Sequence, residues 1–402
     1  MRPFRSTIPI AEARAIIDGA IRPIERTERV SLRSAAGRVL AEPITAGGDV
    51  PPFARAAMDG YAVRAADTSG ATATAPVTLL CIEQVFAGQT PARAVGAGAC
   101  AEVATGAPMP EGADAVVMVE ETRKGDGEHV HVLAPARTGQ HIGRQGADIR
   151  SGQQVLGLGS FLNASRVGAL AALGRSEVQV YTRPEVAILA TGNEIVDPGR
   201  ALRPGQIYDI NSFTLAAVVS EHGGLPVPHR AASDTVDDLL RSLDACLAHD
   251  VVVCSGGSSV GERDLVLDAM SARGEVLFHG LSVKPGKPTA FGVIGGKPVF
   301  GMPGYPASCL SNAHVLLAPA LRRIARLPDR PPQSIAVPLG ARVTSPPGRH
   351  QFFTVRFQDG VAMPAFKASG DITSMSQADG YIEIDAGTEV LEAGAMVRVV
   401  LF

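Results

Sequence analysis

The sequence predicts a multi-domain protein of α/β and β class, in which a doubly wound α/β domain is flanked by β-rich segments. The chain has 402 residues, 46% of them hydrophobic and 19% charged, which is enough for about two to four domains with their own cores. Strand and helix patterns alternate from residue 178 to 326, whereas short apolar stretches separated by Gly and Pro turns fill residues 43–142 and 335–402. The alternation favours a parallel sheet with helices on both faces.

Hydrophobic periodicity places the elements of this alternating region and of the segment after it. Strands are predicted at 186–190, 251–254, 276–278, 289–294 and 299–301. Helices are predicted at 212–222, 236–248, 262–272 and 307–326. After a proline-rich linker at 328–332, strands are predicted at 335–339, 351–357, 381–385 and 396–402.

The N-terminal half contains two predicted helices and one clear hairpin. Apolar residues at helical spacing from Ile10 to Ile24 predict an amphipathic helix, whose apolar face must be buried and could form a subunit interface. Residues 163–173 predict a second helix, capped by Asn163 or Ser165 and ended by Gly174. Residues 124–127 read as a hairpin turn.

Composition excludes several classes of protein. A formal net charge of −3 provides no basic field, so nucleic acid is not an expected partner. No apolar run reaches the roughly 18 residues needed to span a membrane. No apolar region of the signal-peptide type follows Met1–Arg5, so a signal peptide is not expected. The five cysteines show no metal-binding spacing, and Cys246 and Cys254 are expected to be buried, reduced thiols. We therefore expect a cytoplasmic protein without a membrane partner.

A glycine loop follows the predicted strand at 251–254. Residues 255–259 read SGGSS and precede a predicted helix, an arrangement in which backbone N–H groups can approach an oxyanion. Asp264 falls in the first helical turn beside that anion, which makes it a candidate Mg²⁺ ligand. The alternative is an acidic residue that only complements the helix dipole.

Three further segments place chemical groups at the same predicted sheet edge, because parallel strands end on one side. A strand runs into a Gly turn that carries Glu194, and another runs into the turn between Pro303 and Pro306. Lys284 and Lys287 lie in the sequence VKPGKP, where the prolines and glycine favour a fixed geometry, and compact cations suit phosphate. The alternative for both lysines is an ordinary solvated surface.

Together these sequence motifs resemble the molybdopterin molybdenumtransferase family, which includes bacterial MoeA and the gephyrin E domain. Residues 51–62 read PPFARAAMDGYA, similar to the family's PPFDNSAMDGYA, and residues 105–110 read TGAPMP, similar to TGAPxP. Residues 143–148 read GRQGAD, similar to GRRGED. The resemblance runs from about residue 6 to the C-terminus, and several motifs in the right order are more specific than any single one.

The resemblance implies four domains and a homodimer. They are a helical and β dimerisation domain from residues 1–44 and 143–178, an inserted β domain at 45–142, a molybdopterin-binding α/β domain at 179–328 and a C-terminal β barrel at 329–402. The family's active site lies between the α/β domain of one subunit and the inserted β domain of the other.

The resemblance also implies a reaction. Family members take adenylylated molybdopterin and molybdate, place molybdenum on the dithiolene sulfurs and hydrolyse the adenylate with Mg²⁺, which releases AMP. A pterin adenylyltransferase is then the expected donor of the substrate, and molybdoenzymes or their chaperones are the expected acceptors of the cofactor.

The motif matches assign roles to individual residues. The catalytic set is Asp59, Thr105, Asp148 and Glu194. The substrate-binding set is Arg144, Gly256, Gly257, Ser258, Lys284, Lys287, Pro303 and Pro306. The metal-binding set is Asp59, Asp234 and Asp264.

Each assignment has a plainer alternative. Asp59 could be a turn residue before Gly60, and Thr105 could cap a loop. Arg144 and Asp148 could form an exposed ion pair, which contributes little. Asp234 could belong to an ordinary helix cap.

Several positions depart from the family's motifs and keep other functions open. Ala54, Arg55 and Ala56 replace an acid, an amide and a hydroxyl, Asn193 replaces an acid, and Tyr305 replaces the usual Asn of GxPGNP. A paralogue that handles tungstate, an enzyme with reduced turnover and a non-catalytic, gephyrin-like scaffold are the alternatives. A pterin adenylyltransferase is disfavoured because it would leave residues 1–178 and 330–402 unexplained.

Overall fold

The computed structural model describes residues 7–231, 235–256 and 265–402, and the chain forms two compact units. The N-terminal unit comprises residues 29–36 and 40–179. The C-terminal unit comprises residues up to 28, residues 37–39 and residues 180–402. The four domains implied by the sequence resemblance divide the chain more finely than these two units, and that division stays a prediction.

A six-stranded sheet forms the centre of the C-terminal unit. Four neighbouring strands run parallel, which confirms the predicted parallel sheet, and two antiparallel strands extend it at one edge. The antiparallel edge arises because Gly295 and Gly296, both at positive φ, turn the chain back on itself. The spatial order is Leu225–Arg230, Glu185–Ala190, Val251–Ser255, Lys297–Met302, Ala290–Ile294 and Glu275–His279.

The first strand in that order, Leu225–Arg230, was not predicted from the sequence. Pro226 and Pro228 interrupt its strand pattern, since proline cannot donate to a sheet. The strand lies at the edge of the sheet, where proline is tolerated.

Helices cover both faces of this sheet, as a doubly wound fold requires. Ile188 and Val253 pack on one face with helices Asn211–Glu221 and Ala318–Ile324. Leu189 and Cys254 pack on the other face with helices Val236–Cys246 and Leu265–Arg273. The single helix predicted at 307–326 is divided into Pro306–Asn312, a π-helical segment Ala313–Leu317, and Ala318–Ile324.

The predicted burial of Cys246 and Cys254 is confirmed. Burial raises the pKa of the Cys246 thiol to about 12, and it also raises the pKa of Cys254. Both thiols are therefore protonated at neutral pH.

A second sheet in the C-terminal unit is built from the end of the chain. Its spatial order is Val283–Lys284, His350–Gln358, Gly380–Ile384, Met396–Leu401 and Ser334–Pro338, with Val361–Pro364 also paired to His350–Gln358. A parallel bridge between Leu339 and Ala362 joins the two sides, so the sheet closes into a barrel. Smaller elements of this unit are the strands Ile195–Val196, Ile207–Tyr208, Val343–Thr344 and Val390–Leu391 and the helix Thr373–Ser376.

The predicted N-terminal helix spans Ile10–Ala20 and packs inside the C-terminal unit. Ala13 and Ile17 join the core cluster that contains Leu321, and the N–H of Ile24 donates to the carbonyl of Ile324 (2.8 Å). Its apolar face is therefore buried within the chain, as the sequence requires, and it gives no support to the expected homodimer.

The N-terminal unit contains a six-stranded sheet and one α-helix. The sheet order is Ala115–Met118, Gly60–Val63, Ala99–Val103, Val77–Val85, His129–Val132 and Thr122–Lys124. Strand pairs Arg55–Ala56 with Ile142–Gly143, and Ile44–Thr45 with Gln154–Leu156, lie outside it. The predicted hairpin at 124–127 is confirmed, as is the helix Ala164–Ala172, where Asn163 is the cap and accepts from the N–H of Arg166.

The remaining elements include short 3-10 turns at Leu32–Ser34, Ala65–Thr68 and Val119–Glu121 and the strands Thr27–Ser31 and Glu177–Tyr181. Across the three described stretches of chain, every helix is too short or too polar to cross a bilayer.

Candidate functional site

The carboxyl ends of two neighbouring parallel strands come into close contact. The N–H of Thr191 donates to the carbonyl of Ser255 (3.0 Å), which ties the two turns together. Gly256 follows with φ of +99°, and a Cβ at this position would lie 2.3 Å from the Thr191 carbonyl oxygen. Glycine is therefore required here, which is consistent with the glycine loop predicted from the sequence.

The lysine turn is fixed by a buried polar network. The side-chain amide of Asn312 donates to the carbonyl of Gly286 (2.8 Å) and to Oγ1 of Thr289 (2.6 Å). The Thr289 hydroxyl in turn donates to the same carbonyl of Gly286 (2.9 Å). Because Asn312 and Thr289 are buried, the turn that carries Lys284 and Lys287 has a defined shape, as the sequence predicted.

A fourth turn joins the same region through Asn211. Its side-chain amide donates to Oγ of Ser255 and to the carbonyl of Gly304, both at 2.8 Å. The turn between Pro303 and Pro306 is thereby held beside Ser255, and Pro306 begins the helix that follows.

These four turns line a cavity of about 740 Å³ in the C-terminal unit. Its described cationic lining residues are Lys284, Lys287 and Arg349, and Glu194 is the acid among them. One wall comes from the C-terminal part of the chain, where Phe366 lies beneath the ammonium of Lys284 (5.8 Å from the ring centroid). The cavity thus combines a net positive lining with apolar surface, and its size suits a nucleotide-sized anion.

Glu194 enters the cavity lining from a glycine turn. Gly192 has φ of +133°, and a Cβ there would lie 2.8 Å from the Glu194 carboxylate. The carbonyl of Glu194 accepts from the N–H of Ile207 (2.8 Å), and this bond fixes its backbone.

Asp59 and Thr105, each predicted as a catalytic residue from its own motif, lie in contact in the N-terminal unit. The N–H and the hydroxyl of Thr105 both donate to Oδ1 of Asp59, at 2.6 and 2.9 Å. These bonds, first the backbone N–H and then the hydroxyl, hold the pKa of Asp59 below its ordinary value. The exposed carboxylate borders a second cavity of about 320 Å³, which Phe86 and Val119 also line. Thr105 therefore orients the ionised carboxylate of Asp59, whereas the plainer alternative gave Thr105 only the role of capping a loop.

Arg144 and Asp148 lie in an exposed loop of the same unit. The N–H of Asp148 donates to the carbonyl of Val50 (3.0 Å), and the side chain of Gln145 donates to Asp49 (2.9 Å). Neither Arg144 nor Asp148 lines either of the two cavities, and within the described chain they form no ion pair with each other. The exposed ion pair considered as an alternative is therefore not found.

Four predicted site residues, Asp234, Gly257, Ser258 and Asp264, lie outside the described residues. The helix after Asp234 is capped by Thr235, whose side chain accepts from the N–H of Asp238. Over residues 7–231, 235–256 and 265–402, no group of three or more His, Cys, Asp or Glu side chains is placed to hold a metal ion.

Sequence reasoning missed several residues that shape the larger cavity. Asn211 and Asn312 are helical residues whose roles depend on contacts with distant turns. Arg349 and Phe366 belong to the C-terminal sheet region, and no local motif marks them as site residues. Pro346, Pro347 and Gly348 predict a turn directly before Arg349, and this turn is the sequence signal from which Arg349 could have been found.

The fold and the cavity define a multi-domain α/β protein with a ligand-sized pocket at the carboxyl edge of its parallel sheet. Family models match along most of the chain. The MoeA N-terminal region (domain I and II) matches residues 8–174, the probable molybdopterin binding domain matches residues 187–323, and the MoeA C-terminal region (domain IV) matches residues 336–402.

Individual relatives agree with these models. The chain is 37% identical to molybdopterin molybdenumtransferase 2 of Mycobacterium tuberculosis (strain CDC 1551 / Oshkosh), over 94% of this chain and 95% of the relative. It is 36% identical to the molybdopterin molybdenumtransferase of Nostoc sp. (strain PCC 7120 / SAG 25.82 / UTEX 2576), over 75% and 70% of the two chains. The crystal structure of the molybdopterin biosynthesis MoeA protein from Pyrococcus horikosii superposes with a TM-score of 0.85 at 38% identity, covering 98% of this chain and 99% of that one. The chain belongs to the molybdopterin molybdenumtransferase family.

Proposed function

We propose that this chain is a molybdopterin molybdenumtransferase of molybdenum cofactor biosynthesis. It inserts molybdate into the dithiolene of adenylylated molybdopterin, and hydrolysis of the adenylate releases AMP and the finished cofactor. The observation that carries the proposal is the larger cavity, in which Lys284 and Lys287 lie on a rigid turn beside the glycine loop at Gly256.

The lysine turn supports binding of the substrate's phosphates. Compact ammonium groups attract phosphate, and the guanidinium of Arg349 adds a third cation to the same lining. The volume of about 740 Å³ falls within the range of small-molecule and cofactor sites. Glu194 is the described acidic residue of this lining, and we propose that it is one of the catalytic residues.

Asp59 fits the role of a Mg²⁺ ligand. Both hydrogen bonds from Thr105 reach Oδ1, so the exposed carboxylate keeps Oδ2 for a hard cation. Protein-bound Mg²⁺ often uses one or two carboxylates together with substrate phosphate oxygens, and such an ion neutralises and polarises a phosphoanhydride. Asp59 would hold the ion, and Thr105 would keep the carboxylate ionised and oriented. Asp234 and Asp264 stay predicted ligands, and Arg144 and Asp148 stay a predicted oxyanion-binding and acid pair.

The experiment is AMP release from adenylylated molybdopterin in the presence of Mg²⁺ and molybdate. The parent protein should release AMP in a molybdate-dependent manner, and Asp59→Asn should lose that release while keeping its circular dichroism and melting temperature. Unaltered turnover in Asp59→Asn would remove Asp59 from the mechanism. Pterin binding without AMP release by the parent would instead favour a non-catalytic scaffold, and a preference for tungstate would favour the paralogue.

We also propose that the protein is a cytoplasmic homodimer, with a pterin adenylyltransferase as substrate donor and molybdoenzymes or their chaperones as acceptors. In the N-terminal unit, Phe86 and Val119 remain about half exposed at the rim of the Asp59 cavity. Apolar side chains in such a position support a surface that a second subunit covers.

A further inference from the structure

Tyr305 is a large aromatic residue in the wall of the larger cavity, and 66% of it is exposed. Its backbone is fixed on both sides. The carbonyl of Gly304 accepts from Asn211, the carbonyl of Tyr305 accepts from the N–H of Cys309 (2.9 Å), and Pro306 begins a helix. A rigid backbone therefore presents a ring that the protein's own core does not cover.

The C-terminal wall approaches only part of this ring. A Cβ added at Gly370 would be in ordinary van der Waals contact with Cδ1 of Tyr305 (3.7 Å), while 66% of Tyr305 stays exposed. The wall is held in place because the N–H of Ala307 donates to the carbonyl of Ser369 (3.1 Å). Phe366 lines the same cavity next to Lys284, so aromatic surface and phosphate-binding charge lie in one pocket.

We propose that Tyr305 stacks against a planar heteroaromatic ring of the ligand whose phosphate is held by Lys284 and Lys287. This inference rests on the proposed function and extends it to a specificity-determining residue. The shared chemistry is a planar heteroaromatic ring attached to a phosphate, and that ring is either the adenine or the pterin of the substrate. Stacking on an aromatic face is favourable for any such ring, and it does not require the tyrosine hydroxyl.

Calorimetric titration with three probes tests the proposal. AMP carries adenine and phosphate, ribose 5-phosphate carries the phosphate without the base, and 6-hydroxymethylpterin carries the pterin without phosphate. Tyr305→Phe keeps the ring and is the matched control for Tyr305→Asn, which removes it. Because the ring is mostly exposed, both variants should keep the melting temperature of the parent.

Tyr305→Asn should bind one ring-bearing probe about tenfold more weakly than the parent, whereas Tyr305→Phe should match the parent. Ribose 5-phosphate should bind all three proteins equally. A selective loss of AMP affinity identifies adenine as the stacked ring, and a selective loss of pterin affinity identifies the pterin. Unchanged affinity for both, or an equal loss for ribose 5-phosphate, would overturn the proposal.

The outcome is separable from that of the proposed function. If the parent protein releases no AMP from adenylylated molybdopterin but Tyr305→Asn still loses ring affinity, the transferase assignment fails and the stacking site stands. If the parent releases AMP normally and Tyr305→Asn binds every probe as the parent does, the stacking inference alone fails.

Discussion

Replacing Gly286 by alanine should destabilise the lysine turn without altering either lysine. Gly286 has φ of +103°, and an added Cβ would lie 2.3 Å from Nδ2 of Asn312. That nitrogen donates the two hydrogen bonds that hold the turn, so the methyl group would displace the anchor itself.

The magnitude follows from two contributions. A side chain at positive φ costs roughly 1–2 kcal/mol, and loss of the two Asn312 hydrogen bonds costs about 1 kcal/mol each. The Gly286→Ala variant should therefore lose about 3–4 kcal/mol from the free energy of unfolding. For a unit of this size, each kcal/mol lowers the melting temperature by about 2–4 °C.

Gly199→Ala is the matched control, because Gly199 has φ of +91° and no atom within 4 Å of its added Cβ. It should show the backbone cost alone, about 1–2 kcal/mol. Thermal and urea denaturation give the stabilities, and calorimetry gives the affinity for AMP, which should fall in Gly286→Ala and stay near the parent value in Gly199→Ala. If both variants lose equal stability and keep equal affinity, the Asn312 network does not anchor the turn.

Three other outcomes follow from the site. Thr105→Val keeps the backbone donor to Asp59 but removes the hydroxyl donor, so the depressed pKa of Asp59 should rise toward its ordinary value. The acid limb of the pH profile for AMP release should therefore move to higher pH, and an unmoved limb would contradict this. Lys284→Ala and Lys287→Ala should each weaken binding of adenylylated molybdopterin by roughly 1.5–3 kcal/mol and make the remaining binding less salt-sensitive. If calorimetry at low salt gives the variants and the parent the same affinity, the phosphate is bound elsewhere. Light scattering at micromolar concentration should give the mass of a dimer, and a monomeric mass would refute the proposed homodimer.

Local sequence patterns predicted those parts of the fold that depend on neighbouring residues. The β-branched run at 251–254 and the alternation around it are sufficient for a buried parallel strand, and Asn163 caps its helix as expected. Leu225–Arg230 escaped prediction because its pairing with Glu185–Ala190 outweighs two prolines. The packing of Ile10–Ala20 into the C-terminal unit is a long-range contact that periodicity cannot specify.

The same distinction applies to the site. Gly256 and Pro303 were predicted from turns that follow strands, and the parallel sheet brings those two turns together. Lys284 was predicted from its proline-glycine turn, and it reaches the cavity from a strand of the barrel sheet. Arg349 reaches the same cavity from far along the chain, so no sequence window contains both it and Lys284. The contact between Thr105 and Asp59 was likewise beyond local reasoning, although both residues were selected by their motifs.

The pairing of Val283–Lys284 with His350–Gln358 limits how the chain can be divided into exchangeable modules. Lys284 belongs to the barrel's edge strand, while Gly286, two residues later, is anchored to the helix that contains Asn312. The barrel and the α/β sheet therefore share the lysine turn, and neither is a self-contained ligand-binding cassette. Chimaeras between relatives should therefore transfer residues 283–287 together with residues 330–402. A junction at the linker alone would pair the strand Val283–Lys284 of one relative with the strand His350–Gln358 of another, and these two strands did not evolve together.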